Sequence, residues 1–269
     1  MVAAGRAEIT RPVLPGGDAS AQVRLCAGMR VPAGIEGLQA HLRARTRFFD
    51  EQVLLAIENR ISQIVLVGAG YDDRALRFPA DGVRYFELDA AATQADKRRR
   101  LRRMGAENAR LVLGQIELRK GDVSAVLADC GHDARRSSLF LCEGLFVYLD
   151  RPTITSLLRG LHRRATNQSR LVANLAIHRD GLDGDVVVRW ANARRNASAR
   201  EPWRTSLPAD AHVALLRDAG WAATEKLDDT DLEADALAGR SLLVVASPHA
   251  GGTDDLQSTP SSHTPSTKD

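Results

Sequence analysis

A chain of 269 residues that is 44 % hydrophobic and only 4 % aromatic can bury one α/β core built from Leu, Val, Ala and Ile, with small appendages. The net charge of +3 is mild, and no apolar stretch approaches the ~18–20 residues that cross a bilayer. No apolar signal segment accompanies Arg6 and Arg11, and Cys26, Cys130 and Cys142 are odd in number without metal-ligand spacing; reduced thiols, a cytoplasmic location and no metal are expected.

Residues 1–35 are expected to form a loose N-terminal segment, 36–247 a single domain and 248–269 a disordered tail of Ser, Thr, Pro, Gly and Asp. Apolar residues near helical spacing predict a helix over 36–60. Strands follow at 63–67 and 83–88, then a basic helix over 91–104. Its run Lys97-Arg98-Arg99-Arg100-Leu101-Arg102-Arg103 lacks interleaved aromatics, so it reads as a solvated helix face and no nucleic-acid partner is expected. A third strand falls within 110–120 and a fourth at 138–142. Asp150 and Pro152 open a helix to about 165, and a fifth strand spans 170–177. Residues 180–206 are Arg-rich, a helix runs from Pro208 and Asp210 to Gly220, and strands near 222–228 and 241–246 close the series. Strands alternating with helices predict a mostly parallel sheet covered on both faces, with ligands at the carboxyl ends of its strands.

One such end is distinctive. The uncharged strand Gln63–Val67 stops at Gly68-Ala69-Gly70, where glycines let the backbone turn sharply and approach a ligand. Asp89 lies 19 residues after Gly70 at the next strand's end, suited to accept hydrogen bonds from a ribose. A dinucleotide loop would need glycine where this chain has Asp73, preceded by Asp72. Two carboxylates repel a pyrophosphate and tolerate a sulfonium, which favours S-adenosylmethionine over a nicotinamide cofactor. Asp122, Glu143 and His178 also stand at predicted strand ends.

Several pieces in fixed order match a known family: Ala44–Asp50, Val67–Arg77, Phe86–Asp89 with Lys97, Gly121-Asp122, Cys142–Leu149, Glu201–Trp203 and Ala219–Trp221. On these the chain resembles the leucine carboxyl methyltransferase superfamily, and within it the bacterial branch with tetracenomycin-type polyketide O-methyltransferases. The resemblance implies a Rossmann-like class I methyltransferase fold: a central, mostly parallel seven-stranded sheet flanked by helices, with an N-terminal helical cap. It implies that Arg45, or Arg47 beside it, binds the methionine carboxylate of S-adenosylmethionine, that Gly68, Ala69, Gly70 and Asp72 line the cofactor, and that Asp89 holds the ribose. Asp122 and Val123 would sit at the adenine, although the family usually has Asp-Leu there, and Glu143 would face the ammonium group with Tyr148 nearby. Plainer roles compete: Arg45 and Arg47 pairing with Asp50 or Glu51 on their own helix, Glu143 as a helix-terminal charge, Tyr148 as core.

The implied activity is O-methylation of a hydroxyl or carboxylate on a small molecule, such as a polyketide or another secondary metabolite. Methylation of a protein C-terminal carboxylate and a non-catalytic cofactor-binding role are the alternatives. His178 is the candidate base for a phenolic acceptor, by position alone. The helix at 36–60 and the segment 180–206, with Arg179, Arg189, Arg194, Arg195, Arg200 and Arg204, are expected to build the acceptor pocket; homo-oligomerisation is left open.

Overall fold

The computed structural model describes residues 5–7, 9–29, 36–178, 181–194, 202–228 and 240–249. Seven strands form one sheet: β1 (Gln63–Val67), β2 (Arg84–Asp89), β3 (Leu111–Gln115), β4 (Ser138–Cys142), β5 (Arg170–Ile177), β6 (Trp221–Asp228) and β7 (Arg240–Pro248). Their order across the sheet is β3-β2-β1-β4-β5-β7-β6. The first five pair in parallel, and β7 runs antiparallel between β5 and β6. After β3 the chain returns to the other side of β1, so the strand order reverses between β1 and β4. In open α/β sheets a crevice for ligands opens at such a reversal.

The described helices are α1 (Ala21–Leu25), α2 (Glu36–Glu58), α3 (Arg74–Arg77), α4 (Ala91–Met104), α5 (Val123–Asp129), α6 (Arg151–His162), α7 (Gly184–Arg194) and α8 (Ala209–Asp218). Alternation along the strands divides the core. Val65 and Val67 pack with Leu127, Ile154, Leu158 and Leu216 on one face, while Ile64 and Leu66 pack with Phe49, Val53 and Ala56 of α2 on the other. All five residues of β1 and of β4 are buried, which accounts for the lack of charge in these strands. Asp150 caps α6 by accepting from the Thr153 N–H at 2.9 Å, and Gly105 ends α4 in the left-handed conformation at φ 62°. No helix among the described residues is long and apolar enough to cross a membrane.

Two expectations change. Lys97 belongs to the basic run but is only 1 % exposed, paired with Glu87; the neighbouring Arg99, Arg102 and Arg103 keep the solvated face. The described part of the N-terminal segment is docked rather than loose. The Leu14 and Asp18 N–H groups donate to Arg77 O and Leu76 O, and a Cβ on Gly17 would meet Arg77 O at 2.2 Å. Proline and glycine composition could not show this, because the anchors are tertiary. Residues 250–269 of the expected tail lie outside the described residues.

Candidate functional site

The site is assembled at the β1/β4 reversal. Gly68 and Gly70 adopt φ 68° and 54°, a region unfavourable to residues with a Cβ. A Cβ at Gly68 would lie 2.9 Å from Leu145 Cδ1, whereas at Gly70 it would meet no atom within 4 Å. Gly70 is therefore required by backbone conformation, and the space above it is open. The loop is tied to β2: Gly68 N–H donates to Leu88 O at 2.8 Å and Gly70 N–H to Asp89 Oδ2 at 2.7 Å. Asp89 thus stands beside the turn, at the carboxyl end of β2.

Asp72 and Asp73 turn inward, away from the opening. Asp72 Oδ2 accepts from Arg74 Nη1 at 2.6 Å and from Arg6 Nη1 at 2.8 Å. Asp73 accepts from Arg11 and Arg77, each at 2.8 Å. Asp50, from α2, accepts from Arg74, Arg77 and Arg11 at 2.7–2.9 Å through Oδ1. Burial pushes the Asp72 carboxyl up, but Arg74, Arg6 and Lys97 outweigh it and hold the group far below its ordinary value. The argument that these carboxylates suit a sulfonium is corrected: their charge is matched by guanidinium groups, and Asp72 is a buried bracket under the loop.

Glu143 follows β4 directly. Its Oε1 accepts from Arg45 Nε at 3.1 Å, and its Oε2 lies 2.8 Å from Arg74 Nη1, within ion-pair range but without hydrogen-bond geometry. Burial raises this carboxyl, yet Arg6, Arg74 and Arg45 bring it down to about 2, so it is an anion at neutral pH. Arg45 is pulled below its ordinary value by burial, with Glu143 opposing. Its Nη2 is buried and has no acceptor among the described residues. Gly144, at φ 66°, passes close by: a Cβ there would sit 3.6 Å from both Arg45 terminal nitrogens. Asn174 of β5 accepts from the Gly144 N–H and fixes that turn.

Arg47 is not part of this group. Two residues along a helix is more than half a turn, so Arg47 points away from Arg45; its side chain is 82 % exposed and pairs with Glu51 at 2.8 Å. Own-helix pairing therefore describes Arg47 but not Arg45. Tyr148 closes the short 3₁₀ turn Phe146–Tyr148, half-buried and electrostatically coupled to Arg45. Asp122 caps α5, accepting from the Ser124 N–H at 2.8 Å and from Arg163 Nη2 at 2.9 Å. Val123 beside it is 2 % exposed and packs where a Cβ on Gly160 would fall within 2.4 Å. An Asp two residues before a Ser at a helix start already carried that capping signal.

His178 follows β5, half-buried, with Nδ1 3.0 Å from Ser206 Oγ. The first residue of α7, Gly184, fits tightly against this pair: a Cβ there would lie 2.6 Å from Ser206 O and 3.1 Å from His178 Cε1. Arg204 N–H donates to Val147 O at 2.7 Å. Of the expected arginine field, Arg179, Arg195 and Arg200 lie outside the described residues, as does the side chain of Arg194. Among the described residues no cluster of His, Cys, Asp and Glu could hold a metal ion.

Sequence reasoning missed Arg6, Arg11, Arg74, Arg77 and Asp50 as site structure. The one available signal was composition: acidic pairs at 72–73 next to Arg74 and Arg77 must find partners if buried.

The model of the leucine carboxyl methyltransferase family matches residues 19–162. A Streptomyces coelicolor protein named "Putative S-adenosyl-L-methionine-dependent methyltransferase" is 30 % identical over 82 % of this chain and 72 % of its own length. A Parafrankia relative of the same description is 32 % identical over 81 % of this chain and 69 % of its own. Among solved structures, magnesium protoporphyrin IX methyltransferase from Synechocystis, with bound S-adenosylhomocysteine, matches with a TM-score of 0.53 at 12 % identity, covering 84 % of this chain and 92 % of that one. The structure of a "putative sarcosine dimethylglycine methyltransferase" from Galdieria sulphuraria gives 0.55 at 11 % identity, covering 79 % and 88 %, and both support the fold alone. The family match, with relatives at this identity and coverage, shows that the chain belongs to the leucine carboxyl methyltransferase family and is an S-adenosylmethionine-dependent methyltransferase.

Proposed function

We propose that this enzyme methylates an oxygen, hydroxyl or carboxylate, of a small molecule such as a polyketide or other secondary metabolite. The observation that carries the cofactor part of the reading is the buried Arg45–Glu143 pair at the β1/β4 reversal, in which Arg45 Nη2 lacks an acceptor among the described residues. A buried, unmatched guanidinium N–H next to a carboxylate fits the zwitterionic end of an amino acid: carboxylate to Arg45, ammonium to Glu143. The open space above Gly70 would take the rest of S-adenosylmethionine, with Ala69 alongside, and Asp89, beside that turn, would accept from ribose hydroxyls. Asp122 and Val123 would bound the adenine side through backbone, since the Asp122 carboxylate already caps α5 and pairs with Arg163. Asp72 would act from beneath, fixing the loop rather than touching the cofactor.

When bound, the cofactor supplies a methyl group on a sulfonium that leaves as a neutral thioether. The protein's work is alignment and exclusion of water. For a phenolic acceptor a base is also needed. If Nδ1–H is donated to Ser206 Oγ, the Nε2 lone pair of His178 is available for the acceptor's proton. A carboxylate acceptor is already ionised and needs no such step. The family's own description favours a second reading, a leucine carboxylate on a protein as acceptor.

The test is a turnover panel of phenols, carboxylic acids and a peptide ending in leucine, using wild type and His178→Ala. Transfer to phenols that His178→Ala loses, with cofactor affinity unchanged, is the expected result. Transfer only to the peptide, or to nitrogen or carbon acceptors, would overturn the small-molecule O-methylation reading. Phenol turnover that His178→Ala leaves intact would remove the histidine from the mechanism.

A further inference from the structure

Arg6 lies 66 positions before Asp72 in sequence, yet it enters the site just described. It is 7 % exposed, with Nη1 2.8 Å from Asp72 Oδ2 and 3.8 Å from Glu143 Oε2. It shares the Asp72 oxygen with Arg74. Around the two carboxylates Asp72 and Glu143 stand three guanidinium groups, Arg6, Arg45 and Arg74. Asp50 offers little relief, because Arg11 and Arg77 also bind it. Among the described side chains, with Arg11, Arg77, Asp50 and Asp73 included, five guanidinium groups face four carboxylates, one negative charge short. The shortfall shows in atoms: Arg6 Nε, Arg45 Nη2 and Arg74 Nη2 are all buried without an acceptor among the described residues. Unmatched buried donors of charged groups are costly, and an arriving carboxylate would satisfy them.

We propose that Arg6 is a positioning residue of the cofactor site, through which docking of the N-terminal segment and binding of the cofactor's amino-acid end strengthen each other. The inference rests on S-adenosylmethionine occupying the edge formed by Gly68, Gly70 and Glu143. Arg6 acts through Glu143 and Asp72: it holds the first where an ammonium group would meet it and the second beneath the glycine loop. The ligand's carboxylate supplies an acceptor to the unmatched guanidinium groups while Glu143 takes its ammonium, and Arg6 is stabilised in place. By linkage, docked Arg6 must raise ligand affinity by the same factor. A ligand without an amino-acid end offers neither the acceptor nor the ammonium and takes no part in the coupling.

The experiment is calorimetric titration of the full chain with S-adenosylhomocysteine and with 5′-methylthioadenosine, which keeps the nucleoside and sulfur but lacks the amino-acid end. Wild type, Arg6→Gln and Arg6→Lys are compared, with Arg47→Gln as a surface control. Arg6→Gln is expected to weaken S-adenosylhomocysteine roughly tenfold to a hundredfold, the range for hydrogen bonds to charged groups, and to leave methylthioadenosine unchanged. Arg6→Lys, which keeps the charge but loses the fork, falls between. In wild type, trypsin cleavage after Arg6 is slowed by S-adenosylhomocysteine and not by methylthioadenosine; this readout stands even if Arg6→Gln fails to fold. Equal weakening of both ligands would make Arg6 a general structural residue and overturn the proposal, as would no weakening of either or identical protection by both. If wild type bound neither ligand, the occupancy of this edge would fail first, and the proposal with it.

Discussion

Removing Lys97 tests whether the glycine loop is held from inside the protein. Its ammonium sits between Glu87 and the backbone carbonyl of Asp72, the latter at 2.6 Å, and the two side chains are 1 % and 0 % exposed. Lys97→Met keeps the length of the stem and deletes the charge, leaving Glu87 buried and unpaired. Breaking a buried pair in this way costs about 3–5 kcal/mol. At about 2–4 °C per kcal/mol for a domain of this size, the melting temperature should fall by about 6–20 °C. The loss should depend on pH. Burial raises the Glu87 carboxyl from 4.5 to about 7 even with Lys97 opposing it. A carboxyl raised on folding binds more protons folded than unfolded, so its contribution to stability declines as pH climbs from the unfolded value through the folded one. Without Lys97 the folded value rises further and the decline extends to higher pH. Urea denaturation at pH 6 and pH 8 should therefore show a larger loss for Lys97→Met at pH 8. Adding Glu87→Gln, which removes the buried charge altogether, should recover much of it. A loss below about 1 kcal/mol, the scale of an exposed pair, or one independent of pH, would refute the reasoning.

Three further outcomes follow from the same geometry. Asp50→Asn removes the carboxylate shared by Arg11, Arg74 and Arg77 and should lower stability by about 3–5 kcal/mol in urea melts near pH 7. Burial works against ionised Asp50, but Arg74, Arg11 and Arg77 depress its folded value below 3.8; its contribution is present above that pH and is lost as pH falls through the folded value, so the difference between wild type and variant should shrink in strong acid. Gly184→Ala drives a methyl group toward Ser206 O and His178 Cε1, and should lower kcat on a phenolic acceptor while calorimetry shows unchanged S-adenosylhomocysteine affinity. Arg47→Ala removes an exposed pair and should change stability by less than about 0.5 kcal/mol in urea melts, with no effect on cofactor affinity.

The sheet was legible because its strands obey local rules: β4 and β5 match their predicted bounds, and α4 begins and ends where the run Ala91–Met104 does. The two sides of the reversal, Gly68–Gly70 and Glu143, were legible for the same reason: each directly follows an uncharged strand. Arg45 came from the family resemblance, and sequence alone could not separate it from Arg47; only the helix's phase against the sheet does that. The charged bracket was invisible because no periodicity links Arg6 to Asp72 or Arg11 to Asp50, and isolated arginines in a Gly- and Pro-containing stretch look like solvent-facing residues. Asp72 and Asp73 show the limit most clearly. Their presence was read as a statement about the ligand, when it was a statement about arginines elsewhere in the chain.

The partners in that bracket are separated by 39 residues for Arg11 and Asp50, 66 for Arg6 and Asp72, and 98 for Arg45 and Glu143. Closing loops of this length repays its entropy only when both ends are already held, so during folding these contacts should form late, after β1, β2 and β4 have paired and α2 has settled on them. The site for the amino-acid end of the cofactor then exists only in molecules that have completed the fold. A collapsed intermediate with the sheet in place but residues 5–11 undocked would leave Asp50, Asp72 and Asp73 with Arg74 and Arg77 alone and offer the cofactor a misaligned edge. Recognition of the cofactor thus doubles as a check on folding, drawing late intermediates toward the finished chain by mass action.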